Sequence, residues 1–126
     1  MTDATLLHRQ VHPCWIQQGR ITSQVFRPTL KDAGILSAYD GDQISAQEAW
    51  RHYSMQLHLR SAGAVSVTVK ECETESLLVS LDRIPFPEHV SIDFSTRGKN
   101  SIDGIAKRLK RKAESRGWQY RAESSP

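Results

Sequence analysis

Cysteine is nearly missing from this chain, and its two copies, Cys14 and Cys72, cannot build a disulfide framework. That argues against the small secreted scaffolds held together by several bridges and makes a reducing cytoplasm the expected compartment. No apolar run approaches the roughly 18 to 20 residues a membrane span needs, and the opening MTDATLLHRQ lacks the basic start and apolar core of a secretory leader. Glycine is also sparse: the seven glycines stand singly, so there is no closely spaced set to cradle a phosphate. Internal repeats, low-complexity stretches and long linkers are lacking as well. A chain of 126 residues suits one hydrophobic core, so one domain is expected over residues 1–121, with a disordered tail at 122–126.

Charge is present but unevenly placed. Between Arg97 and Arg121 stand nine Lys or Arg against Asp103 and Glu114, a surplus of seven. The formal charge of the whole is +3, which leaves about −4 on the remainder. A basic C-terminal element on an acidic body permits nucleic-acid binding, and equally permits internal docking.

Hydrophobic alternation predicts strands at residues 6–11, 20–26, 34–39, 64–72 and 89–94. In the first, Leu7, Arg9 and Val11 share one face and Leu6, His8 and Gln10 the other. In the fourth, Val65, Val67 and Val69 face the core and Ser66, Thr68 and Lys70 point away. Ser45-Ala46-Gln47-Glu48 is a capping box that starts a helix with Ala46, Ala49, Trp50, Tyr53 and Leu57 on its apolar face, expected to exit at residues 61–63. A last helix begins near Asn100 or Ser101, buries Ile102, Ile105, Ala106, Leu109 and Ala113, and closes at Gly117. SLLVSL reads as an edge strand or a packed loop, RIPFPEH as a connection, and WQYR as a short final strand. The order predicts an α+β domain with a mostly antiparallel sheet of five or six strands and two main helices.

The segments HRQVHP, GRITSQVFRPT, LSAYDGD, FPEHVSIDF and AKRLKRKAESRGW span nearly the whole chain, and on them it resembles a family of short bacterial proteins. The resemblance implies a bacterial cytoplasmic protein and brings no activity with it.

Several chemistries compete for the polar residues. The favoured reading is a small binding or accessory module that recognises a protein or nucleoprotein through residues 20–42. There Thr22, Ser23, Gln24, Arg27, Lys31 and Asp32 cluster around a proline-punctuated loop between strands. A second is nucleic-acid binding by Lys107, Arg108, Lys110, Arg111 and Arg116, with Trp118 or Tyr120 stacking on a base. A third is an NAD-using enzyme resembling ADP-ribosyltransferases in order of parts, with His8, Arg9, Ser23, Tyr39 and Glu71 around one cleft. His8, His12 and Cys14 offer imidazole and thiolate donors, but without a second cysteine pair at ligand spacing no metal site and no cofactor is expected. Ser23 or Cys14 would serve as a nucleophile only if folding brought His8, His12 or His89 beside it. The balance favours a partner-binding protein over an enzyme, with no membrane association.

Overall fold

The computed structural model describes residues 1–29, 31 and 33–122. Its strands are β1 (Leu6–Gln10), β2 (Ile16–Gln17), β3 (Arg20–Ile21), β4 (Ile35–Asp40), β5 (Gly63–Thr68), β6 (Leu78–Ser80), β7 (His89–Asp93) and β8 (Tyr120–Arg121). The helices are α1 (Ala46–Arg51), α2 (Val69–Thr74) and α3 (Lys99–Arg116). Six strands make one sheet in the order β6-β7-β4-β1-β5-β8, antiparallel at every step, while β2 and β3 form a separate hairpin. This is the expected α+β architecture. Among the described residues no helix is long and apolar enough to cross a membrane.

One face of the sheet carries the core. Leu7, Val65, Val67, Leu36, Ala38, Val90 and Ile92 pack against Ile105, Ala106, Leu109 and Ala113 of α3. The spacing of those four α3 residues makes a single apolar stripe. Gly117 ends α3 with φ 89, a backbone conformation that costs glycine little, and Trp118 folds back against the core.

Three local expectations need correction. Residues 20–26 do not form one strand. Gln18 (φ 53) and Gly19 (φ 77) make a left-handed two-residue turn, so Arg20–Ile21 pair back only on Ile16–Gln17. A 3-10 turn, Ser23–Phe26, follows. Because a 3-10 turn abandons the period of two, the neighbours Val25 and Phe26 both point inward, each fully buried.

The run 64–72 ends as a strand at Thr68. There the Thr68 hydroxyl accepts from the Glu71 amide at 3.1 Å and the Glu71 carboxylate accepts from the Thr68 amide at 2.8 Å, a reciprocal capping box that starts α2. Glu71 is therefore a helix residue rather than a strand end. Finally, α1 passes at His52 into a wider π turn, His52–Gln56, and stops before residue 61. The irregular segment that follows places Leu57 and Leu59 over the second face of the sheet.

Asp32, assigned above to partner recognition, lies outside the described residues, as do residues 123–126 of the expected tail.

Candidate functional site: a pocket on the polar face of the sheet

Antiparallel register arranges the second face in rows. His8 stands opposite Ser66 on one side and Tyr39 on the other, and Tyr39 stands opposite His89. One step along, Gln10 faces Ala64 and Ser37 faces Ser91. Continuing the β1–β4 register would set Gln10 across from Ser37. The two strands part there instead, and the Arg9 guanidinium donates to the Ser37 carbonyl at 2.7 Å and to the Val25 carbonyl at 2.8 Å. The alternation that sends aliphatic side chains to the core thus sends imidazole, hydroxyl and amide groups to this face.

This face is roofed. Tyr53, Leu57 and Leu59 come over it from the π turn and the segment beyond, and Pro85 and Phe86 from the loop before β7. They enclose a cavity of about 210 Å³ whose floor is His8, Gln10, Ser37, Tyr39 and His89. Phe86 stacks on Tyr39 at 4.8 Å between ring centroids and meets His52 and His89 edge-on at 4.6 and 5.2 Å. Such offset and edge contacts suit the ring quadrupoles and fix the roof on the floor. The Tyr39 hydroxyl is hydrogen-bonded to His52 Nδ1 at 2.7 Å, and burial raises its pKa, with help from Tyr53 and Glu88.

His8 is 4% exposed, and its Nδ1 lies 2.7 Å from the Ser66 hydroxyl. Burial pushes its pKa down, against a hydrogen bond to the Ile44 carbonyl and the charge of Asp40. Gln10 is 5% exposed, and only one end of its amide is satisfied: Oε1 accepts from the Ser61 hydroxyl at 2.7 Å, whereas Nε2 has no partner. A buried amide left half-paired costs about 1–3 kcal/mol, so it needs a reason.

A second chain of bonds runs along the edge of the pocket. Ser37 Oγ is 3.0 Å from His89 Nε2, and His89 Nδ1 is 2.6 Å from Asp82 Oδ1. The other oxygen of Asp82 accepts from the Ser91 hydroxyl. Partial burial would raise the Asp82 carboxyl, but the hydrogen bonds from His89 and Ser91 outweigh it and hold the pKa below the usual carboxylate range. Asp82 is therefore an ionised acceptor, and the ring hydrogen of a neutral His89 belongs on Nδ1.

Of the residues expected around an NAD cleft, His8, Arg9 and Tyr39 do line this one pocket. Ser23 and Glu71 are not among its lining residues: Ser23 opens the 3-10 turn, and Glu71 pairs with Arg116 at 2.9 Å in addition to capping α2. In the surface expected to bind a partner, Thr22 donates its hydroxyl to the Trp15 carbonyl at 2.8 Å and Arg27 pairs with Asp103 at 2.9 Å, while Gln24 and Lys31 are exposed. In α3, Arg108 pairs with Glu75, Lys110 with Glu114 and Arg116 with Glu71, leaving Lys107 and Arg111 exposed on its outer side. His12 Nδ1 accepts from the Cys14 amide at 3.0 Å, and among the described residues no three acidic, His or Cys side chains are grouped to hold a metal. Cys72 is fully buried, which pushes its thiol up to about 12.

Gln10, Tyr53, Asp82 and Phe86 were not expected in a site, while Ser37 was read only as part of the 20–42 recognition region and His89 only as a conditional base for Ser23 or Cys14. The available signal was the polarity of one strand face in HRQ, LSAYD and EHVS, three segments that meet at this pocket. Comparison with protein-family models, with curated proteins and with solved structures finds no match to this chain.

Proposed function

We propose that this protein binds a small molecule in the pocket on the polar face of its sheet. The ligand would present an apolar or aromatic body to Tyr53, Leu57, Leu59 and Phe86 and a hydrogen-bond acceptor, most simply a carbonyl oxygen, to Gln10. The unpartnered end of the Gln10 amide carries this reading, because Gln10 lines the cavity and turning its buried donor toward a ligand's acceptor would give it the partner it lacks. A cavity of about 210 Å³ has the volume of roughly seven waters, which suits a group such as a benzoyl or butyryl amide. Leu57 and Leu59 in the lining, and Ile84 next in the chain to Pro85, are all exposed, so the entrance is apolar as well.

The two recognition surfaces read from the sequence have less behind them. Thr22 and Arg27 already have intramolecular partners, and so do three of the five α3 cations assigned to nucleic acid. Exposed ion pairs of this kind contribute little to stability, yet they reduce the charge on offer to phosphates.

Titration of ¹⁵N-labelled protein with benzamide and with n-butyramide tests the proposal. Saturable shifts are expected at residues 8–10, 37–39, 53–59 and 85–89. Affinity should fall about fivefold in Gln10→Met, the equivalent of one neutral hydrogen bond. Shifts scattered over the surface, or equal affinity in the variant, would contradict it.

A further inference from the structure

We propose that Ser37 is a nucleophile activated by His89 and Asp82, and that the pocket's ligand is a small carboxylic ester hydrolysed through an acyl-serine. This rests on the pocket being a ligand site and adds to it a reaction and a substrate class.

The three side chains stand in the order that nucleophilic catalysis needs: hydroxyl, imidazole, carboxylate, at 3.0 and 2.6 Å. Ser37 is exposed at the pocket, His89 is only 7% exposed, and Asp82, although exposed, is held in place by hydrogen bonds from Ser91 and the Ile84 amide. That anchoring fixes the ring with hydrogen on Nδ1, which leaves Nε2 as a bare acceptor aimed at the Ser37 hydroxyl. A histidine buried only for packing would need its two nitrogens satisfied and nothing more. It would not require the chain to end on an accessible hydroxyl beside a cavity whose other polar wall is an amide with an unused donor.

The reaction follows from this placement. Ser37 Oγ attacks the ester carbonyl carbon while its proton passes to His89 Nε2, and the resulting imidazolium is held by Asp82. The carbonyl oxygen becomes an oxyanion, and Gln10, which lines the same pocket, would turn its unpaired Nε2–H toward it to supply a hydrogen bond. Collapse breaks the carbon–oxygen bond to the alcohol, which leaves with the proton from Nε2. Water then attacks the acyl-serine, giving its proton to Nε2, and the second collapse releases the carboxylic acid and returns the proton to Ser37. The sum is ester plus water giving acid plus alcohol. Leu57, Leu59 and Phe86 would receive a short apolar acyl group.

The test uses an alkyl fluorophosphonate, which traps an activated serine as a phosphonyl adduct, with n-butyramide binding followed in parallel by NMR. Intact and peptide mass spectrometry should find one adduct on Ser37, and none in Ser37→Ala, an exposed position that leaves the fold intact. Asp82→Asn should keep the far-UV circular dichroism and the butyramide affinity of the parent while slowing adduct formation by about 10³-fold. No adduct on Ser37 while butyramide still binds would overturn the nucleophile and leave the ligand site standing. Failure of both would remove both proposals. An adduct that forms as fast in Asp82→Asn would overturn the relay.

Discussion

Replacing Gln10 by Met should make the protein more stable while weakening its hold on the ligand about fivefold. The side chain is 5% exposed, and methionine matches it closely in length and volume, so packing changes little. The loss is one hydrogen bond, from the Ser61 hydroxyl to Oε1, worth about 0.5–1.5 kcal/mol. Even that loss is softened, because the Ser61 hydroxyl also lies 2.9 Å from the Gly63 carbonyl and can donate there. The gain is removal of a buried Nε2 with no partner, whose desolvation costs about 1–3 kcal/mol. The difference favours the variant by about 1 kcal/mol, or some 3–5 °C in Tm for a domain of this size. Urea denaturation followed by circular dichroism measures it. A midpoint raised at unchanged slope agrees with the reasoning. A loss of 1 kcal/mol or more would mean that the free end of the amide serves the fold, and the strongest argument for the pocket as a ligand site would go with it.

Phe26→Ala should cost about 3–5 kcal/mol by chemical denaturation, since the ring is fully buried in the core beneath α3; a cost under 1 kcal/mol would return residues 23–26 to the surface. Thr68→Ala should cost about 1 kcal/mol through the lost cap of α2, whereas a strand continuing to residue 72 would be almost indifferent to it. Stability should fall as pH drops. The folded pKa of His8 is depressed below its unfolded value of about 6.5, so the unfolded state binds the proton first. Its contribution is complete above pH 6.5 and is lost as pH falls through the folded value. The urea midpoint should therefore be lower at pH 5.5 than at pH 7.5, and a midpoint that rises on acidification would contradict the burial of this ring. Arg20→Ala, by contrast, should leave the thermal midpoint essentially unchanged despite its two-pronged contact with Glu114, because that guanidinium is solvated; a clear drop in thermal melts would show the pair to be structural.

The elements with strong local chemistry were legible in the sequence. Ser45 caps α1 by accepting from the Glu48 amide, although the Glu48 carboxylate takes the Ser45 hydroxyl rather than its amide, so only half of the expected box forms; the apolar stripe from Ile102 to Ala113 defines α3, Gly117 stops it, and alternation places β1, β4 and β7. The misread segments share a cause: a short-range signal was overridden by a stronger one a few residues away. In residues 64–72 the valine alternation hid the Thr68–Glu71 capping pair, and in residues 20–26 alternation ran on through a turn that buries two adjacent side chains. The site was hidden for a different reason. Alternation tells which residues share a face, and it correctly put His8 and Gln10 opposite Leu7. It does not tell what covers that face. Ser66, expected to point away from the core, is fully buried, because α1, its π turn and the loop before β7 make a second layer. Asp82 and His89 are seven residues apart across a proline-bearing loop, and only the folded loop brings them to 2.6 Å.

This covered polar face, with the half-satisfied Gln10 amide at its floor, is where we propose that the protein works. Crystals soaked with n-butyramide test it most directly. Density is expected in the cavity with the amide carbonyl oxygen about 2.9 Å from Gln10 Nε2 and the alkyl chain against Leu57 and Phe86. Butyramide bound only elsewhere, with ordered water on Gln10 and the cavity otherwise unchanged, would contradict it.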